Sequence, residues 1–329
     1  MKRMLECIYV AIKIYIGGIK LKNFLTNRVL MVRPIAFAYN AETAKDNLYQ
    51  KDDHKDEKEL QEKAVAEFDI LVEKLREKTI EVLVIQDTKE PHTPDSIFPN
   101  NWFSTHKNGT LVLYPMYAEN RRLERTPKIL DFVKNRENLK IIDLTENEKK
   151  GRILEGTGSM CLDRKNKIAY ASLSKRTNKE LFEEFCRLMD YKPVSFSGKQ
   201  TVDGKQMPIY HTNVLMTIGE EYVLIFLDSI IDKEEKERVK KSILDSGKVL
   251  IEITEEQTNH FLGNALELRK KDGSKILVMS KSANDILRED QRKIIEKSAE
   301  IVYSDIPTIE RYGGGSVRCM LAEFFIWYK

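Results

Sequence analysis

Four cysteines are scattered over 329 residues as Cys7, Cys161, Cys186 and Cys319, with no CxxC and no paired spacing. That excludes a disulfide scaffold and a thiolate zinc site, and it suits free thiols in a reducing, cytoplasmic setting. The five histidines, His54, His92, His106, His211 and His260, show no metal-ligand spacing, so neither metal nor other cofactor is expected. Neither charge sign is in real excess: 55 Lys and Arg face 52 Asp and Glu, a net of +3, and no basic stripe with interleaved aromatics occurs. A nucleic-acid partner is therefore not expected. Long apolar runs are missing too. Lys13 interrupts the run Leu5–Ile19, which is too short to span a bilayer and carries no small-residue cleavage site. Residues 1–24 read as an extension ahead of a single domain at 25–329, with no membrane partner.

No Gly/Ser or Pro-rich linker divides the chain, and one pattern recurs along it. Leu60, Ala64, Phe68, Leu71 and Leu75 fall on one helical face before the strand-like stretch at 81–86. Similar helix-then-strand pairs follow near 129–143, 181–196, 239–253 and 291–303, with further strands at 29–33, 110–116, 168–173, 214–218, 222–227 and 275–279. Five units at a spacing of about fifty to seventy residues predict an α/β array around a central axis. A doubly wound parallel sheet is the alternative, but no glycine-rich phosphate loop follows the first strand.

Polar or glycine-bearing segments follow several of these strands. They are Pro94-Asp-Ser-Ile-Phe-Pro-Asn-Asn-Trp102, Leu154-Glu-Gly-Thr-Gly-Ser159, Leu173-Ser-Lys-Arg-Thr-Asn178, Tyr210-His-Thr-Asn213 and Ile309-Glu-Arg-Tyr-Gly-Gly-Gly-Ser-Val-Arg-Cys-Met320. Singly, each has a structural explanation: a lone cysteine is more often a packed small hydrophobe, and polar turns solvate themselves. In a pseudo-symmetric ring, however, such segments converge. A cysteine nucleophile needs a base, and His211 has the right ordinary pKa. A carboxylate such as Glu155 accepts from the N–H groups of a planar guanidino or ureido carbon, and arginines suit the carboxylate of an amino acid.

In the order Asn-Asn, Glu-Gly, Ser-x-Arg-Thr, His-x-Asn and Gly-rich-Cys, these segments resemble the pentein, or guanidino-group-modifying, superfamily. Within it they are similar to the arginine-deiminase-related branch, which includes citrulline-utilising hydrolases, and also to dimethylarginine dimethylaminohydrolases. The resemblance runs from about Val29 to Glu323 and implies a five-bladed ββαβ α/β propeller. Carried over by position, it implies Cys319 as nucleophile, His211 as general acid/base and Glu155 as the carboxylate gripping the head group. Arg176, with Arg121 or Arg122, falls where the substrate carboxylate is held, and Asp95 where the amino-acid end is contacted. Asn100 and Asn101 lie in the head-group region.

Two positions depart from the deiminase pattern, Asn101 and Asn213 standing where that pattern has aspartates. An amide offers a donor as well as an acceptor, which suits a neutral ureido group better than a guanidinium. The resulting expectation is a cofactor-free cysteine hydrolase of a C–N bond, with citrulline giving ornithine, CO2 and ammonia. An arginine or methylarginine hydrolase, an amidinotransferase, and a non-catalytic binding protein of the same fold are the alternatives. The partner expected is a small amino acid, and homo-oligomerisation is left open.

Overall fold

The computed structural model describes residues 24–53, 56–135 and 139–326, so the expected extension lies outside them except for Phe24. Among the described residues the chain forms five three-stranded sheets of one topology. In each, a first strand pairs antiparallel with a middle strand, and a helical crossover brings a third strand back parallel to the middle one. The units are Phe103–Thr105, Thr110–Leu113 and Lys140–Asp143; Cys161–Asp163, Ile168–Ser172 and Lys192–Phe196; Met216–Ile218, Tyr222–Ile225 and Val249–Glu252; and Leu266–Arg269, Lys275–Ser280 and Glu300–Ser304. The fifth joins the two ends of the fold, since Ala322–Glu323 pairs with Arg28–Arg33, which runs parallel to Glu81–Gln86.

The middle strands are apolar and wholly buried in three units, whereas the third strand Lys140–Asp143 is largely exposed. Strands buried on both faces read as continuous apolar runs, which is why the middle strands are visible in the sequence. The crossover helices bury one stripe each. Helix α1, Glu57–Glu77, starts where Asp56 accepts from the Glu59 N–H at 3.0 Å, and it buries Leu60, Ala64, Phe68, Leu71, Val72 and Leu75. Helix α2 is Pro127–Lys134. Helix α3, Lys179–Met189, is capped by Asn178, and helix α4, Lys233–Asp245, by Asp232. The fifth crossover uses two short helices, Lys281–Ile286 and Glu289–Ile295.

Several short elements differ from the sequence reading. Residues 214–218 form a helical turn, Thr212–Leu215, followed by a shorter strand. A hairpin, Lys199–Val202 with Lys205–Pro208, whose second strand is exposed, stands apart from the five units. What positions the site is a recurring connector: a tight turn just before the first strand of each unit. The turns are Pro99–Asn101, Gly156–Ser159, Thr212–Leu215 and Val317–Met320, with a non-helical version ending at Asn264. The Gly156–Ser159 turn packs on both Pro99–Asn101 and Thr212–Leu215, and Val317–Met320 also packs on Pro99–Asn101.

Candidate active site

Five turns that touch one another bring distant residues together. Cys319 sits in the last of them, buried at 3% exposure, and its Sγ accepts from Asn213 Nδ2 at 3.4 Å and Asn264 Nδ2 at 3.3 Å. The side chain of Asn264 also donates to the Asn213 carbonyl at 2.8 Å, which fixes its amide nitrogen toward the sulfur. Elsewhere, burial pushes the thiols of Cys161 and Cys186 up to about 12.

The glycine triplet ahead of Cys319 is explained by crowding. A Cβ on Gly313 or Gly315 would come within 2.7 or 3.0 Å of the Phe98 ring, and one on Gly314, at φ +61°, within 2.5 Å of Asn47 Nδ2. The loop therefore passes between Phe98 and Asn47 with no room for side chains.

His211 precedes the Thr212–Leu215 turn and holds Glu155 Oε2 at 2.7 Å through Nε2. Glu155 is fully buried. Burial alone would raise its pKa, but Arg176, the hydrogen bond and charge of His211, and Arg121 overturn that and hold it at about 2. As a carboxylate it can only accept, so neutral His211 carries its proton on Nε2 and keeps Nδ1 as the basic nitrogen. Burial lowers the His211 pKa below its ordinary 6.5, against the raising effect of Glu155. Gly158 packs against the imidazole edge that carries Nδ1: a Cβ there would lie 2.8 Å from that atom. Glu155 Oε1 accepts from the Tyr117 N–H at 2.9 Å, which locks the carboxylate in place.

Charged groups make up the rest. Arg121 holds Glu124 with two bonds, Nε to Oε1 at 2.7 Å and Nη2 to Oε2 at 3.0 Å, and donates from Nη1 to Asn101 Oδ1 at 2.7 Å. Burial pushes the Glu124 carboxyl up to about 7 even so. Because an arginine can only donate, Asn101 must turn its oxygen to Arg121. Its Nδ2 is left buried without a partner. Asp95 is buried, with Oδ2 accepting from Asn40 Nδ2 at 2.7 Å and Thr43 Oγ1 at 3.0 Å, and Oδ1 has no partner. Burial raises its pKa, against Arg121. Arg176 lies over the Tyr210 ring, donates from Nε to Asp46 Oδ2 at 3.0 Å and from Nη2 to Asp46 Oδ1, and places Nη1 3.5 Å from Glu155.

Cys319, His211, Asn101, Arg121, Arg176 and Asp95 line one small pocket, with Gly313 and Gly315 in its wall. The structure does not bring every expected residue to it. Arg122 turns away, donating to the Met116 and Tyr117 carbonyls, because the Glu119–Arg122 helical turn points neighbouring side chains in different directions. Asn100 braces Thr157 at 3.2 Å, and Asn213 lies behind the sulfur rather than on the wall. Glu155, expected to grip the head group, is instead off the wall with its carboxylate on His211, the Tyr117 N–H and Arg176. Sequence reasoning missed Asn264, Asn40, Asp46 and Glu124. The Gly263-Asn264 pair was the signal available for Asn264, since a Cβ on Gly263 would strike the Val214 carbonyl and the turn must pack closely there. No group of three or more His, Cys, Asp or Glu fit to hold a metal ion occurs among the described residues.

A search of curated proteins gives no match. Among solved structures the chain is similar to apo ArgZ, an arginine dihydrolase of the ornithine–ammonia cycle in cyanobacteria. The TM-score is 0.70 at 18% identity, over 92% of this chain and 41% of that one. It thus spans less than half of that ArgZ chain, but 99% of its N-terminal domain solved with substrate, where TM-score is 0.68, identity 18% and coverage of this chain 91%. A dimethylarginine dimethylaminohydrolase adduct with S-methyl-L-thiocitrulline gives 0.59 at 14% identity, over 91% of this chain and 100% of that one. What is shared at these identities is the α/β fold. The family model for eukaryotic N,N dimethylarginine dimethylhydrolase matches residues 33–326, from the first strand through Cys319. The chain belongs to this family, within the pentein superfamily.

Proposed function

We propose that this protein hydrolyses a C–N bond of a ureido or guanidino amino acid through a covalent adduct on Cys319, with citrulline as a substrate. The observation that carries the ureido reading is the orientation of Asn101. Arg121 takes its oxygen, so this wall residue keeps a buried, unpartnered N–H2 beside Gly158 and the His211 ring. A ureido oxygen can accept from it, whereas every nitrogen of a guanidinium is a donor or has no lone pair to offer.

The Cys319 thiol proton passes to His211, and the thiolate adds to the ureido carbon. Imidazolium returns the proton to the departing nitrogen, releasing ammonia and leaving a thiocarbamate. Water, deprotonated by His211, displaces the thiolate, and the carbamic acid so formed breaks down to ornithine and CO2. Glu155 holds the imidazolium through Nε2. Arg176 takes the substrate carboxylate, and Asp95 Oδ1, without a partner of its own, takes the ammonium. A covalent route is supported by ArgZ, of which an asparagine-to-serine variant was solved bound covalently to a reaction intermediate.

A second observation favours arginine as an earlier substrate of the same cavity. Around it stand two guanidiniums, Arg121 and Arg176, and four carboxylates, Asp46, Asp95, Glu124 and Glu155. The acids outnumber the guanidiniums by two, although burial raises the Glu124 and Asp95 carboxyls, and that acidic surplus suits a guest with a positive head group. AgrE, another fold relative, was solved as a cysteine-to-alanine variant with L-arginine, and separately in a ternary complex with ornithine and NAD+. Two hydrolyses in succession convert arginine to citrulline and then to ornithine, releasing two ammonia and one CO2. We read the five units as blades about one axis forming a single domain, and the free thiols as marking a reducing, cytoplasmic setting. Incubating purified protein separately with citrulline, arginine and methylarginines, and assaying citrulline, ornithine and ammonia, tests the reading. Ornithine from citrulline is the expected result. Citrulline accumulating from arginine, itself inert, would make the protein a deiminase.

A further inference from the structure

Arg176, buried and facing the cavity, is already occupied. Its side-on face, Nε and Nη2, is taken by both oxygens of Asp46, Nη2 also reaches the Thr43 carbonyl at 2.9 Å, and Nη1 faces Glu155. That two-point grip on a carboxylate is the one an incoming α-carboxylate would make. We propose that Asp46 is a built-in competitor for the Arg176 clamp, a specificity-setting residue that the substrate carboxylate displaces. The inference rests on the reading above, that the substrate is an α-amino acid whose carboxylate goes to Arg176.

Three features support an exchange rather than a fixed structural pair. Asp46 retains 13% side-chain exposure where Arg176 has 2%, so its carboxylate is the partner within reach of water. It stands just after the single helical turn Thr43–Lys45, which carries no side-chain cap bond. The surrounding segment is held mainly by the site: Asn40 and Thr43 bond Asp95, Asn47 bonds the Gly314 carbonyl at 3.2 Å, and Gln50 bonds the Tyr312 carbonyl at 3.0 Å. Thr43 and Asn47 of this segment form part of the pocket wall, so Asp46 belongs to the stretch of chain that borders the guest. Swapping one carboxylate for another keeps the buried guanidinium compensated at both ends of the exchange, which a simple opening would not. The competitor also selects: only a guest with its own carboxylate can replace Asp46.

Asp46→Asn tests this with two substrates, the amino acid that the wild type turns over and its decarboxylated analogue. Removing the competing charge is expected to lower KM for the amino acid about tenfold, with kcat held, and to leave KM for the analogue unimproved. An unchanged or raised KM for the amino acid would overturn the proposal, as would an equal fall for both substrates. Asp46→Glu, which keeps the charge, is expected to retain the wild-type KM, and a fall with that variant would likewise count against competition. Failure of the parent reading looks different: the wild type itself then turns over none of the amino acids, and the present proposal falls with it.

Discussion

Around the Cys319 sulfur the polar contacts are neutral amides, Asn213 and Asn264, whereas Arg121 and Arg176 are each gripped at two points by an acid, Glu124 and Asp46. The difference is chemical. A sulfur that must gain and lose a proton is served by donors that carry no charge, because a fixed cation would hold the thiolate and a carboxylate would forbid it. Guanidiniums that hold a guest must be desolvated, and desolvated charge survives only when paired, as Glu124 and Asp46 pair it here. Asn101 joins the two regimes, its oxygen on Arg121 and its N–H2 free.

The comparison can be broken at either end. The largest effect is expected at the sulfur. Cys319→Ala removes turnover to the limit of detection in an ammonia assay, while denaturant unfolding moves by no more than about 1–2 kcal/mol. Retained turnover would remove the nucleophile from the account.

At the charged end, loss of a partner affects folding first. Arg121→Ala strands Glu124 and removes the donor to Asn101, and breaking such a buried pair costs about 3–5 kcal/mol, readable in urea unfolding. A cost near zero would mean that Glu124 simply protonates, which its pKa near 7 makes the specific competitor to exclude by repeating the melt above pH 8.

Between the ends, Glu155 and His211 set the pH profile. Burial lowers the His211 pKa below 6.5 and Glu155 raises it, so the acid limb of kcat/KM lies below pH 6.5. Glu155→Gln takes away the raising partner, and the acid limb is expected to move further down while kcat falls about 100-fold or more. The sign for folding runs the same way. A depressed His pKa and a Glu155 pKa of about 2 both contribute stability that is lost as pH falls, through 6.5 for the one and toward 2 for the other. An acid limb above pH 6.5 would detach it from His211.

How much of this was legible beforehand follows from range. Helix α1 announces itself by Leu60, Ala64, Phe68, Leu71 and Leu75 at helical spacing, and the middle strands by unbroken apolar runs. Both signals are local and strong. The turns that build the site are three to five residues long and carry no period, which is why 214–218 reads as one strand although its first half is a helical turn. Asn264 touches Cys319 only because separate units fold side by side, and nothing within a few residues of it says so. Asp46 and Glu124 are exposed-looking acids in a charged sequence until Arg176 and Arg121 are placed against them. Arg121 could not be told from Arg122 because one residue of helical rotation separates a cavity wall from a backbone brace.

The placement of Asn213 behind the sulfur sharpens the test of the central claim, that Asn101 reads the head group. Asn101→Asp replaces the free N–H2 by a carboxylate oxygen, so kcat/KM for citrulline relative to arginine is expected to fall by more than about tenfold, equivalent to about 1.4 kcal/mol. Asn213→Asp is the control: it sets a carboxylate against the sulfur and should slow both substrates with the ratio unchanged. A ratio that moves with Asn213→Asp and stays fixed with Asn101→Asp would contradict the account.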